Sequence, residues 1–265
     1  MSVHNEQETI IENILQSKKY KNVSRDLVEK IVKSEYGKYK SQKDLLKVCK
    51  KKLHQIFSLY KTESFSAANF LSRINESEPL DIPSICDEVL MKHVSTKERM
   101  PYYNIFYKKI FEVTGKPSSI LDIACGMNPF AIYYIDTKIT KYDAYDIDKE
   151  NVDFINEFSK LTDNKIKAYA TDVTQMCFDQ KYDVGLVLKF LPVLESQSKG
   201  SSLGFLKKMN CDFIVASFPI KSIGGKEKGM EVFYTTRFRD AIKNEYLIIN
   251  EIKYDNEMVF IIKEI

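Results

Sequence analysis

No two cysteines of this chain form a CxxC pair, and the five present (Cys49, Cys86, Cys125, Cys177 and Cys211) are scattered and odd in number. That pattern argues against a disulfide framework or a zinc site and suits a reducing compartment, where thiols serve as packing. Histidine is scarce. Of three in the chain, His54 and His93 fall in helical stretches without a Cys/His cluster around them, so no metal is expected. No apolar run nears the roughly 18 residues of a membrane-spanning helix. The first residues, Met1 to Gln7, carry neither a basic segment nor an apolar one, and a cytoplasmic chain with no membrane partner is expected. Glycine is sparse where a dinucleotide site would need it. The stretch Ala124-Cys-Gly-Met-Asn-Pro129 has a single glycine, whereas seating a pyrophosphate on a helix N-terminus takes three spaced ones.

What is present suffices for a folded protein: 265 residues, 44% of them hydrophobic, suit one large domain or two smaller ones. The net charge of +3 is unevenly spread, because Met1 to Tyr60 hold 13 Lys and Arg against 7 Asp and Glu. A basic front of this kind suits a polyanionic partner, or a plain solvated helical surface. The front reads as helices. Ile10, Ile11, Ile14 and Leu15 share one face; Leu27, Val28, Ile31 and Val32 share another after a Ser24 cap. A third helix starts at Ser41 with Asp44 as its capping-box partner and buries Leu46, Cys49, Leu53, Ile56, Phe57 and Tyr60. Beside that apolar face Lys43, Lys47, Lys50, Lys51 and His54 fall in one band, a candidate phosphate-facing stripe. Shorter helices are expected over 65–74 and 84–93, the second capped by Ser84 with Asp87. Ser95 with Glu98 repeats the capping spacing, and Pro101 forces a break near Met100. A last helix carries Tyr102, Tyr103, Phe106, Ile110 and Phe111 and stops at Thr114-Gly-Lys-Pro117. This places a domain boundary at residue 115, with a helical domain over 1–115 and a second domain over 116–265.

From Ser118 strands alternate with helices: 119–123, 141–146, 165–170, 183–188 and 212–217, a parallel pattern. Tyr246–Ile252 and Met258–Ile262 flank the turn signal Tyr254-Asp-Asn256 and add an antiparallel pair. Ile120, Leu121 and Ile123 drive a first strand into small residues, and the start of a helix is expected just beyond them. About 20 residues on, Tyr142–Asp148 closes a second strand with acids, the place where βαβ units bind ribose hydroxyls. Asp122, Gly126, Asp146 and Asp172 therefore sit where a cofactor with an amino acid moiety, a ribose and an adenine, but no pyrophosphate, needs a close turn and acceptors. The sequence points to an α/β fold, a seven-stranded class I (Rossmann-like) S-adenosylmethionine methyltransferase domain behind a helical N-terminal domain.

Five stretches carry a family resemblance: Ser95-Thr-Lys-Glu-Arg99, Ile120 to Pro129, Ala144-Tyr-Asp-Ile-Asp148, Leu188-Lys-Phe-Leu-Pro-Val-Leu194, and the run from Ser217 to Glu231. Together with Lys51-Lys-Leu-His-Gln55 they resemble the aminoglycoside-resistance 16S rRNA methyltransferases that modify N7 of guanine-1405, the Arm/Rmt and actinomycete-producer enzymes. Ala124 departs from the glycine many members have there. The resemblance implies that Arg99 meets the methionine carboxylate, Asp146 the ribose and Asp172 the adenine side. Ala124, Ile147, Val173, Leu188 and Lys189 would complete the cofactor site. It also implies roles around the target or in activity for Lys189, Glu195, Lys226 and Glu257, and an RNA-facing loop with Lys221, Lys226 and Lys228. The implied partner is the 30S subunit, and a monomer is expected.

The fourth strand bears on the reaction. Enzymes methylating exocyclic amines commonly carry Asn/Asp-Pro-Pro-aromatic there, whereas this chain has Lys189-Phe-Leu-Pro192. Guanine N7 offers an in-plane lone pair with no proton to remove, so its methylation needs alignment more than a general base. The competing expectations are adenine-1408 N1 methylation, a methyltransferase of another substrate, and a non-catalytic RNA-binding module on the same fold.

Overall fold

The computed structural model describes residues 3–57, 65–220 and 230–265. In chain order the helical front comprises α1 (Val3–Leu15), α2 (Arg25–Glu35), α3 (Gln42–Phe57), α4 (Ala67–Glu76), α5 (Ile82–Leu90), α6 (Val94–Arg99) and α7 (Tyr103–Thr114). Then follow β1 (Ser119–Ile123), β2 (Lys141–Asp146), α8 (Lys149–Thr162), β3 (Ile166–Ala170), β4 (Phe178–Leu188), α9 (Leu191–Gln197) and α10 (Ser201–Leu206). The chain ends with β5 (Met209–Pro219), α11 (Met230–Ile242), β6 (Tyr246–Lys253) and β7 (Glu257–Glu264).

The seven strands form one sheet in the order β3-β2-β1-β4-β5-β7-β6. The first five are parallel, and the β6–β7 hairpin joins β5 antiparallel, with Pro219 opposite Glu257. Glu257 thus begins its strand at the edge where the parallel strands end. Alternation along the strands divides the core in two. Ile120, Tyr142, Ala144, Val184 and Leu186 pack with α4, α5, α7 and α8, while Leu121, Ile123, Val187 and Ala216 pack with α9, α10 and α11. A third cluster, Ile10 to Leu53, belongs to α1–α3. The core is therefore continuous across the expected boundary at 115, since Phe70, Val89 and Phe106 share a cluster with Ile120.

Several local expectations are met by chemistry. Ser41 Oγ accepts from Asp44 N at 3.1 Å and donates to the Asp44 carboxylate at 2.7 Å, a closed cap at the start of α3. The chain breaks at Met100–Tyr102 as a 3-10 turn before α7, which stops at Gly115 with φ +79°. Others are corrected. Leu45, not Leu46, joins Cys49 and Leu53 on the buried face of α3, with Leu46 and Ile56 half-buried, and the Phe57 side chain and Tyr60 lie outside the described residues. The cap of α5 is Asp81, because Pro83 suits the first turn and draws the start forward. Asp87 accepts from Tyr134 Oη instead, at 2.8 Å. The residue before α6 is His93; Thr96 donates back to Leu90 O at 2.5 Å, and Ser95 Oγ lies 3.1 Å from His93 Nδ1 in place of a bond to Glu98. Ser24 precedes α2 as expected but makes no side-chain capping bond. After β1 the chain forms a 3-10 helix, Asn128–Tyr134, in place of an α-helix, and α5 and α7 from the helical front pack against it. Strands β4 and β5 start earlier than their apolar runs, pairing Phe178 with Met209 across a bulge.

Candidate active site

The β1 loop is built from two left-handed residues: Ala124 at φ +52° and Gly126 at φ +51°. A Cβ on Gly126 would lie 2.8 Å from His93 Cε1, so glycine is required there both for its backbone and for the close approach. Cys125 N donates to Tyr145 O at 3.0 Å, tying the loop to β2. The Asp146 carboxylate closes the turn, accepting from Gly126 N at 2.8 Å and from Asp148 N at 2.9 Å. Each of its oxygens keeps acceptor capacity for a further donor.

Beyond this turn lies a cavity of about 440 Å³, a common size for a cofactor site. Of the residues expected at the cofactor, Ala124, Gly126, Asp146, Ile147, Asp172, Val173 and Leu188 line it. Residues not anticipated join them. His93 and Ser95 enter from the start of α6, Phe190 and Val193 from the start of α9, Asp148 from the cap of α8, and Lys18, Lys19, Lys21 and Asn22 from the α1–α2 connection. Ser95, Asp148, Phe190 and Val193 fall in stretches that carry the family resemblance, whereas nothing in the sequence marked His93 or the α1–α2 residues for this site. Burial and the neighbouring Asp146 push the Asp148 carboxyl up to about 7. Burial, with Arg99 and Lys189 nearby, holds the His93 imidazole down to about 4 and therefore neutral at physiological pH.

Behind the cavity Arg99, 1% exposed, grips the fully buried Glu257 through Nε and Nη2, both at 2.9 Å. Ser217 Oγ donates to the same carboxylate at 2.5 Å and Tyr102 Oη at 3.1 Å, with Lys189 Nζ at 3.8 Å. Burial pushes the Glu257 carboxyl up, but the two cations and these donors win and hold it at about 2. Among the described residues Arg99 Nη1 makes only long contacts, 3.4 Å to Tyr103 Oη and 3.5 Å to Asn128 Oδ1. Asn128 donates in turn to Asp122 Oδ2 at 2.8 Å, which also accepts from Tyr142 Oη at 2.7 Å. The other oxygen, Asp122 Oδ1, is buried with no hydrogen-bond partner among the described residues. Burial raises that carboxyl to about 6. An orphaned carboxylate oxygen one asparagine away from a guanidinium with a weakly used donor suits a zwitterionic amino acid group.

The remaining expected residues are placed as follows. Lys189, 2% exposed, stands at φ +60° between β4 and α9, with Nζ on Glu98 at 2.6 Å. Glu195 turns away from the cavity and accepts from Gly200 N and Ser202 N, both at 2.8 Å, fixing the α9–α10 junction. Lys43, Lys47, Lys51 and His54 are exposed on α3 and Lys50 is half-buried. His54 Nδ1 lies 2.8 Å from Lys19 Nζ, so the stripe adjoins the α1–α2 connection. Lys221, Lys226 and Lys228 lie outside the described residues.

Comparison with known proteins agrees with this geometry. The family described as "Ribosomal RNA methyltransferase (FmrO)" matches residues 16–261. A curated relative from Serratia marcescens, named 16S rRNA (guanine(1405)-N(7))-methyltransferase, is 32% identical over 253 residues, 95% of this chain and 96% of its own. The structure of the 16S rRNA methylase RmtB is 26% identical, covers 98% of both chains and superposes with a TM-score of 0.83. The 16S rRNA methyltransferase RmtF, solved in complex with S-adenosyl-L-homocysteine, shares the fold at 24% identity, with a TM-score of 0.84 and full coverage of both chains. The sheet order, the acid-closed turn and a match across nearly the whole chain place this protein in the FmrO family of ribosomal RNA methyltransferases.

Proposed function

We propose that this chain transfers the methyl group of S-adenosylmethionine to N7 of guanine-1405 in 16S rRNA of the assembled 30S subunit. The observation that carries the reading is the match to a relative of that name over 95% of this chain and 96% of the other. The cavity beside an acid-closed turn supports it.

S-adenosylmethionine supplies a methyl group on a sulfonium, activated without help from an acid. The residues here bind and orient. Asp146, held by two backbone amides, accepts from the ribose hydroxyls, and Asp172 serves the adenine side. Arg99 Nη1 and the orphaned Asp122 Oδ1 take the carboxylate and the ammonium of the methionine end. Arg99 reaches that position because Glu257 fixes its other two donors, so Glu257 and its neighbour Lys189 act as positioning residues. As the N7–methyl bond would form, the methyl–sulfur bond would break and S-adenosylhomocysteine would leave, so no side chain has to remove a proton. The α3 stripe contacts rRNA phosphates, the kind of contact that the family resemblance also implies for Lys221, Lys226 and Lys228. The enzyme works as a cytoplasmic monomer on its ribosomal substrate.

The test is cleavage mapping of 16S rRNA after incubation of 30S subunits with the protein and S-adenosylmethionine, using borohydride and aniline to break the chain at 7-methylguanine. A new break at guanine-1405 is expected, and its absence overturns the assignment. A methyl on N7 blocks an acceptor and adds positive charge. Expression should therefore protect cells against gentamicin and kanamycin, but little against apramycin.

A further inference from the structure

The loop after β3, residues 171–174, contributes four consecutive residues to the cavity, yet helix α2 holds it in place. Asp26 of α2 accepts from the Thr171 hydroxyl and, at 2.6 Å, from Asp172 N. Lys30, one turn further along the same helix face, donates to Asp172 Oδ2 at 2.7 Å and to Thr174 Oγ1 at 2.5 Å. The other Asp172 oxygen accepts from Thr174 N at 3.1 Å and from its hydroxyl at 2.7 Å. The two clasping charges are matched to what they hold, an anion on the loop's donors and a cation on its 4%-exposed carboxylate. Burial pushes the Asp26 carboxyl up, but the bonds from Thr171 and Asp172 outweigh it and keep the group below its ordinary value. The segment just before α2 pins the ribose-acid loop as well: Ser24 N donates to Ile147 O at 2.8 Å, and Lys149 N to Asn22 O at 2.7 Å.

We propose that Asp26 and Lys30 are positioning residues for the adenine-side loop, so that the α1–α3 unit forms a wall of the cofactor pocket as well as a docking element. This rests on the proposed function in taking Asp172 as the acid on the adenine side. Without Lys30, the buried Asp172 carboxylate loses its cation and keeps only Thr174 as a donor among the described residues, and it is free to rotate away from the cavity. Without Asp26, the Asp172 amide and the Thr171 hydroxyl lose their shared acceptor, and the loop end is freed.

The test uses the full chain in calorimetric titrations with S-adenosylhomocysteine, and steady-state kinetics with S-adenosylmethionine and 30S subunits. Lys30→Met and Asp26→Ala should each raise the dissociation constant and KM about tenfold, the scale for one charged hydrogen bond, with kcat within about twofold. Lys30→Arg should restore binding to within about threefold of the original, since the charge and a donor are kept. The double variant Lys30→Met/Asp172→Asn should bind no more weakly than Asp172→Asn alone, the sign that both act through one carboxylate. Undiminished binding by Lys30→Met, a kcat that falls in step with affinity, or losses that multiply in the double variant overturn the inference alone. Failure of the unsubstituted chain to bind S-adenosylhomocysteine overturns the cofactor reading and this inference together.

Discussion

Ala124 holds φ at +52°, a left-handed conformation that costs an L-residue about 1–2 kcal/mol. Glycine at this position would relieve the strain but gives back about 0.4–1 kcal/mol through its freer unfolded chain. Ala124→Gly should therefore stabilise the protein by up to about 1 kcal/mol, which for a domain of this size is about 2–4 °C in Tm. Calorimetric melting checks it, and an unchanged or lower Tm would show that the loop carries no such strain. Asp122 makes a second residue-scale prediction. Its carboxyl is raised to about 6, and only the ionised form can hold the cofactor ammonium on Oδ1. Affinity for S-adenosylhomocysteine should be full at about pH 7 and above, halved near 6, and fall toward tenfold per pH unit below that. Asp122→Asn should bind weakly at all pH values and flatten that slope in titrations from pH 8 to 5. An equally steep slope in the variant would assign the titration elsewhere, with Asp148 near 7 the first alternative.

At the scale of elements, α3 makes its own prediction because its charged band is exposed while Leu45, Cys49 and Leu53 are buried. Replacing Lys43, Lys47, Lys50 and Lys51 with Glu should weaken 30S binding and lower its salt slope by about one for each phosphate no longer neutralised. Filter binding at several salt concentrations measures this, and an unaltered slope would make the stripe an ordinary solvated face. The amphipathic faces of α1, α2 and α3 were legible because helical period and burial agree, and the strand runs because both faces of the sheet are covered. Helix starts were legible only where one cap signal stood alone, as at Ser41. At Ser84 and Ser95 a nearby Asp81-Ile-Pro83 and His93–Thr96 competed and won. The ribose acid and the close turn could be read because they lie within one βαβ unit. The Arg99 clamp and the α2 clasp could not, since their partners lie 158 and 142 residues away in sequence.

For the whole molecule, the Arg99–Glu257 pair is a long-range tie between α6 in the helical front and β7 at the far end of the chain, fully buried at the edge of the sheet behind the cavity. The guanidinium also lies 5.2 Å from the Phe106 ring. Such a pair says little about net stability while whole, but breaking it strands a desolvated charge at a cost of about 3–5 kcal/mol. The depressed Glu257 carboxyl gives the same scale: a group held at about 2 against an ordinary 4.5 contributes about 3 kcal/mol at neutral pH. The sign follows from the depression. The contribution is complete above pH 4.5 and disappears as pH falls through about 2. Glu257→Gln should thus unfold about 3 kcal/mol more easily than the original chain from pH 8 to 5. The gap should narrow steadily below 4.5, as the unfolded carboxylate takes up a proton that the native one, held at about 2, does not. Urea unfolding across that range measures both quantities. A gap under about 1 kcal/mol at pH 7, or one that stays constant down to pH 3, would show that the pair is satisfied by something other than its charge.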